Sequence, residues 1–238
     1  MNNKKLKKSC TQKTVAFTLA EVLITLGIIG IVAAMTLPAV INDTKNKELE
    51  VGFKKGYSII SQAVMRMQSE EGMIANTNNY GMGKFVPVFI KYFNGGKDCG
   101  LHGCESYEWG SSDIDNQLSQ NYQIFSKKRY AGSGYFDEGQ YIMSDSMFLM
   151  IENNSAAGNS ILISIDVNGF YKKPNVWGYD LFTFQIDQES GKVLPMGAPG
   201  TRWTNHATYC STTSDNRVNG ASCAYKAFTE KDYFKNLP

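Results

Sequence analysis

The chain has 238 residues, enough for one ordinary domain with an appended helix rather than two full domains. Its 13 Tyr, 13 Phe and 3 Trp supply a real core, which excludes a disordered chain. Five lysines (Lys4, Lys5, Lys7, Lys8, Lys13) and no acid precede Phe17, so the remaining 19 basic and 22 acidic residues leave a net charge of −3 there. That balance excludes a general electrostatic pull toward nucleic acid.

Met1–Ala16 reads MNNKKLKKSCTQKTVA, polar and rich in lysine. Phe17–Ile41 then reads FTLAEVLITLGIIGIVAAMTLPAVI, with Glu21 its single charge. As a helix this run covers roughly 37 Å, enough to cross a hydrocarbon layer of about 30 Å. Lysines before it and a polar body after it orient the N-terminus inward and the remainder outward. An ordinary secretory signal is cut after its apolar run. Here the abrupt switch at Ala16–Phe17 puts the better cleavage candidate before it. A lone carboxylate at membrane depth costs about 2.5–3.5 kcal/mol, and such groups usually have a partner. Gly27 and Gly30 suit close helix packing.

The stretch AFTLAEVLITLGIIGIVAAMTLPAV strongly resembles the class III signal of type IV pilins and type II secretion pseudopilins. The resemblance covers Lys4 to about Ile41, with Ala16 standing where such families usually carry Gly. It implies that an inner-membrane prepilin peptidase cuts Ala16–Phe17 and that Phe17 becomes an N-methylated terminus. It also implies that Glu21 pairs with the Phe17 amine of a neighbouring subunit during filament assembly. Pro38, by removing one backbone donor, would bend or locally melt the helix. The implied location is the bacterial inner membrane, single-pass with the head outside, and then a filament in the periplasm or at the cell surface.

From Asn42 the composition turns polar, yet Leu49, Phe53, Tyr57, Ile60, Val64 and Met67 recur at helical spacing. Lys47, Glu50, Lys54, Gln62, Arg66 and Gln68 occupy the other face, and Gly72 is a natural stop. One helix is expected over 17–71, its second half packed under a head. Thr77–Gly139 reads as a loop region with a short strand or helix near Phe85–Phe93. Strands are expected at Ser146–Glu152, Ile161–Asp166 and Asp180–Ile186, with Lys192–Pro195 extending or following the third. Short connections favour an antiparallel meander, one face on the helix's apolar stripe.

Cys10 precedes the switch; the other four cysteines fall in two local pairs, Cys99/Cys104 and Cys210/Cys223. Disulfides suit an exported body, and of three connectivities the local one closes the shortest loops. A four-cysteine zinc site, with His102 or His206, is the alternative, although neither pair has the usual zinc-knuckle gap. The stretch between Cys210 and Cys223 reads as a stapled, polar, exposed loop. In the run DVNGFYKKPNVWGYDLFTF, the residues Asp166, Asn168 and Asp180 carry the oxygen donors that calcium prefers. A simple Asx turn with Gly169 at positive φ explains the same residues. The Asx turn is the leading reading, and resemblance to pseudopilin heads that use calcium at this place keeps Ca²⁺ as the alternative.

The expected organisation is a leader over 1–16, a transmembrane and filament-core helix over 17–41, an amphipathic stem over 42–71 and a globular α+β head over 72–238. The fold class is α+β: a long N-terminal pilin helix on a disulfide-stapled antiparallel β-meander. The leading functional expectation is a filament subunit of a type IV pilus or type II secretion pseudopilus, partnered by pilin-like subunits and a prepilin peptidase/methylase. The alternative is a minor-pilin or tip module whose head recognises a surface, DNA or a secreted substrate. Lys127, Lys128, Arg129 and Tyr130 interleave basic and aromatic groups, but so short a run reads as a solvated patch, without a clear nucleic-acid partner. No enzyme is expected: two histidines beside no nucleophile motif, and no phosphate-binding glycine loop.

Overall fold

The alternation of apolar residues at three- and four-residue spacing builds one helix, α1 (Leu19–Glu71), which runs through Pro38. It stops at Gly72, whose φ of 68° only glycine adopts cheaply and whose N–H bonds to the carbonyl of Gln68 at 3.0 Å. The computed structural model describes residues 18–100, 121–153 and 158–238. Leader, Ala16 and Phe17 lie outside them. The chain divides into two units, Met1–Thr44 and Lys45–Pro238. In the first, every described residue is exposed, including Leu23, Ile24, Ile28, Ile29 and Ile31. That leaves α1 as one candidate membrane span among the described residues, with a mean hydropathy of 2.3 in its most apolar stretch.

In the second unit the apolar stripe is buried as expected. Leu49, Phe53, Ile60, Val64 and Met67 enter the core, joined by Gly56 and Ala63, while Tyr57 is half-buried. The stripe lies on a six-stranded antiparallel meander whose spatial order follows the chain. Its strands are β1 (Gly96–Gly100), β2 (Gly139–Met143), β3 (Phe148–Glu152), β4 (Ile161–Asp166), β5 (Leu181–Ile186) and β6 (Val193–Pro195). Leu149, Ile151, Ile161, Ile163, Ile165, Phe182, Phe184 and Ile186 point toward the helix and share its core. Phe53 is the hub, with ring centroids 4.5 Å from Phe182, 6.0 Å from Phe184, 5.1 Å from Phe228 and 5.8 Å from Phe234. Gly56 brings the helix backbone close: a Cβ there would lie 2.8 Å from Ile165 Cδ1.

The short element expected near Phe85–Phe93 is helix α2 (Phe85–Phe89) with a 3-10 turn over Ile90–Tyr92. One expectation for the 77–139 stretch needs correction, since it also holds strand β1. The β1 sequence GKDCG has no β-branched or aromatic residue, so only its pairing with β2 makes it a strand. The sheet's other face is covered as well. Phe148, Met150, Leu162 and Leu181 pack there against Tyr122, Ile124, Phe136, Trp177, Met196, Trp203 and Val218. Ser164 and Thr183 face each other across β4 and β5 and join hydroxyls at 2.7 Å; the Trp177 indole N–H donates to Thr183 at 3.0 Å. Burial on both sides explains why β4 and β5 read as nearly continuous apolar runs.

The C-terminal stretch is correspondingly less exposed than its polar sequence suggests. It forms helix α3 (His206–Tyr209) and helix α4 (Cys223–Thr229); between Cys210 and Cys223, Val218, Asn219, Ala221 and Ser222 are buried and only 212–213 and 215–217 are exposed. Cys210 and Cys223 are joined, their Cα atoms 5.0 Å apart. A closed loop of this size is worth about 3 kcal/mol in the chain-entropy account.

Truncating the hub should be severe. Phe53→Ala should cost about 3–5 kcal/mol and lower the melting temperature of the detergent-solubilised chain by roughly 10 °C. Circular dichroism melts check this, with Val51→Ala, at an exposed site on the same helix, moving the melt by no more than a degree or two.

Candidate functional site

Two places carry the residues singled out by sequence. The first is the start of α1. Thr18 N–H and its hydroxyl both donate to Glu21 Oε2 at 2.8 Å, and Glu21 N–H donates to Thr18 Oγ1 at 3.2 Å. This is a capping box: the side chains of Thr18 and Glu21 satisfy each other's otherwise orphaned backbone donors. The carboxylate therefore has a local role within its own chain, one that the T-x-x-E spacing could have revealed. Of the bend or local melting expected at Pro38, the melting does not occur. Its ring removes one hydrogen bond, and the turns on either side remain helical, with Thr36 and Thr44 hydroxyls bonding back to Val32 and Val40 carbonyls at 2.9 Å.

The second place is the far end of β4, on the sheet face away from α1. Asp166 and Asp180 are fully buried side chains at the two ends of the 167–179 connection, and the carbonyl of Asp180 accepts the Val167 N–H at 2.8 Å. Asp166 Oδ1 accepts from the N–H groups of Asn168 (3.2 Å) and Gly169 (2.9 Å), and Gly169 has φ of 87°. That is the Asx turn. Asp166 Oδ2 accepts from the Tyr122 hydroxyl at 2.6 Å. Asp180 accepts from the backbone N–H groups of Asn175 and Val176, each at 2.7 Å. The Asn168 amide also meets the Asp180 carboxylate.

Six donors thus hold two carboxylates in their ionised geometry, while burial works against the charge. Burial and the neighbouring Asp180 push the Asp166 carboxyl far above its ordinary range, and burial raises Asp180 as well. The Tyr122 phenol is raised by its own burial and by Asp166 beside it. Asn168 Oδ1 and Asn175 Oδ1 are buried acceptors without a hydrogen-bond donor. Two carboxylates and two orphaned amide oxygens fit a hard divalent cation in charge and chemistry. They supply four of the six to eight oxygens calcium takes, so backbone carbonyls would complete the shell. The three residues expected from sequence are brought together; Tyr122 and Asn175 were missed. Asn175 carried one signal, the Pro-Asn pair, and it adopts φ of 50°, the left-handed conformation that asparagine tolerates.

The cysteines favour stapling over zinc. Cys210 and Cys223 are consumed by their disulfide, and Cys99 is disulfide-bonded. Cys104 and His102 lie outside the described residues. His206 is half-buried, stacked on Tyr225 at 5.8 Å, with Nδ1 3.2 Å from the Ser222 hydroxyl. Ser222 is fully buried, so a substrate has no approach to that hydroxyl. No cluster of three His, Cys, Asp or Glu side chains occurs among the described residues.

Comparison with models of known families, with curated proteins and with solved structures finds no match. The class that the fold defines is an α+β head, meander on helix, continuous with an exposed apolar helix.

The acid pair predicts an unusual pH response. A carboxyl whose folded pKa is raised above its unfolded value near 4 contributes stability that is full below that value and lost as pH rises through the folded one, about 6 for Asp180 and about 8 for Asp166. In chelator, the melting temperature of the head should therefore fall between pH 5 and pH 8. Calcium at about a hundredfold excess over its Kd should restore about 2.7 kcal/mol at pH 8, roughly 5–10 °C, and little at pH 5. Asp166→Asn keeps the turn and should flatten both effects. A melt that ignores both pH and calcium leaves only the Asx turn.

Proposed function

We propose that this chain is a filament subunit of the pilin and pseudopilin class, anchored in the inner membrane by α1 until it assembles. The observation that carries the proposal is the composition of α1. Its first half is apolar on all sides and exposed throughout, with one carboxylate, Glu21, in the first turn. Its second half is the spine of the head. A helix apolar all round requires a lipid or protein environment along its length. Bilayer and filament core supply that environment in succession, and Gly27 and Gly30, having no side chains, suit close helix packing.

In this reading cleavage between Ala16 and Phe17 places a new amine one residue before the Thr18–Glu21 capping box. The Glu21 carboxylate then meets that positive charge in the helix core of the filament, where an unpaired charge of either sign is costly. Capping and pairing are separable. Glu21→Gln retains an acceptor for the capping box and loses the charge; Glu21→Ala loses both, with about 1 kcal/mol of helix-start stability.

Both variants should insert in the membrane at least as well as the wild type and enter sheared filaments at least tenfold less. Quantitative mass spectrometry of filament and membrane fractions measures this. If Glu21→Gln assembles like the wild type and only Glu21→Ala fails, Glu21 is a helix cap and nothing more.

A further inference from the structure

Sequence alone reads Lys127–Arg129 as a small solvated patch, but the fold sets two more basic segments beside it. The hairpin 122–132 is flanked on one side by 171–177, through Gln123 N–H to Asn175 O and Trp177 N–H to Gln123 O, both 2.9 Å. On its other side lies 211–219. There Phe125 N–H donates to Asn219 O at 2.9 Å, Gly132 N–H to Arg217 O at 3.0 Å, and the Ser126 hydroxyl to Ser214 O at 2.6 Å. Lys127, Lys128, Arg129, Lys172, Lys173 and Arg217 are thereby brought together, and the three segments contain a single acid, Asp215; Glu230 and Asp232 line a cavity beside Phe125.

The concentration runs against the rest of the molecule. These segments carry net +5, while the chain from Phe17 onward carries −3, leaving −8 on everything else from that point. All six cations are exposed. Lys127 spends one donor on the Pro238 carbonyl (2.7 Å) and lies over the Tyr179 ring; Lys128 bonds to the Thr213 carbonyl at 2.5 Å. The Thr213 carbonyl is neutral and cancels no charge. The side chains of Arg129, Lys172, Lys173 and Arg217 have no ion-pair partner among the described residues. Two tyrosines stand in the same segments, Tyr130 at 49% and Tyr171 at 74% exposure. Tyr171 meets Phe170 edge-on at 5.5 Å, and Phe170 is fixed against Tyr122 and Phe148.

We propose that this face binds single-stranded nucleic acid, the cations taking backbone phosphates and Tyr130 and Tyr171 stacking on bases. Exposed rings beside uncompensated cations suit a strand whose bases are free to stack. A duplex hides its base faces, and a lipid surface asks for apolar side chains to insert. In these segments the two tyrosines are the only exposed large hydrophobic residues. The inference is independent of filament assembly.

The test is fluorescence anisotropy of the full chain in non-ionic detergent with a labelled oligothymidylate of about twenty nucleotides. With about four phosphates engaged, affinity should fall with a log–log salt slope of about −3, roughly fiftyfold between about 50 and 200 mM. Arg129→Ala, Lys172→Ala, Lys173→Ala and Arg217→Ala together should weaken binding by more than tenfold without moving the melting temperature. Tyr130→Ala with Tyr171→Ala should weaken the oligonucleotide about tenfold and leave heparin unchanged. Three results overturn the proposal: no binding at low salt, equal binding by the fourfold variant, or indifference of the oligonucleotide to both tyrosines. The last, with heparin or anionic vesicles bound equally well, would make the face a general polyanion or lipid contact.

Discussion

The seating of α1 on the meander through Phe53 is the contact on which the rest of the head depends. One phenyl ring meets both central aromatics of β5 and the C-terminal Phe228 and Phe234. It ties the first and last parts of the head to the middle of the sheet. Gly52 and Gly56 permit the approach, since a Cβ at either would crowd Val167 or Ile165. The same helix must satisfy a different solvent before Asn42, where, Glu21 apart, its apolar side chains occupy every face. A single helix thus carries two hydrophobic patterns, a stripe and a full coat, and the change between them marks the boundary between the two units.

Sheet position in turn generates the buried acid pair. Residues 162, 164 and 166 of β4 point away from α1, and the covering layer brings Tyr122 to Asp166. With no such layer, Asp166 would be a solvated turn residue at the end of a strand. Burial converts it into a group whose charge needs either a proton or a cation. The Asx turn and a metal loop are therefore compatible descriptions of one geometry: the turn orients the carboxylate, and the orphaned amide oxygens supply what the turn does not use.

Much of this was legible in the sequence. The helical stripe, three strands, the Cys210–Cys223 staple and the Asp166–Asp180 loop all rest on local pattern. What escaped notice is non-local or masked by composition. Strand β1 has no strand-forming residue and exists because β2 offers it an edge. The second core layer escaped because burial on both faces erases the alternation that would have announced it. Tyr122 sits 44 positions from its carboxylate partner, beyond any local pattern. The basic face is assembled from three segments that no reading window joins. The capping box at Thr18–Glu21 is the reverse case: its T-x-x-E signal is local and plain, and it gives the carboxylate an intramolecular role beside the intermolecular one that the family resemblance implies.

The central claim is that the exposed apolar half of α1 belongs to the mature protein and is not a discarded signal. Intact-mass and N-terminal analysis of protein extracted from membranes of its native cells tests that most directly. A mature chain that begins at Phe17, with one added methyl group on its amine, is the predicted result. A terminus beyond Val40 would mean that the apolar run is removed, and the account of a membrane-anchored filament subunit would be wrong.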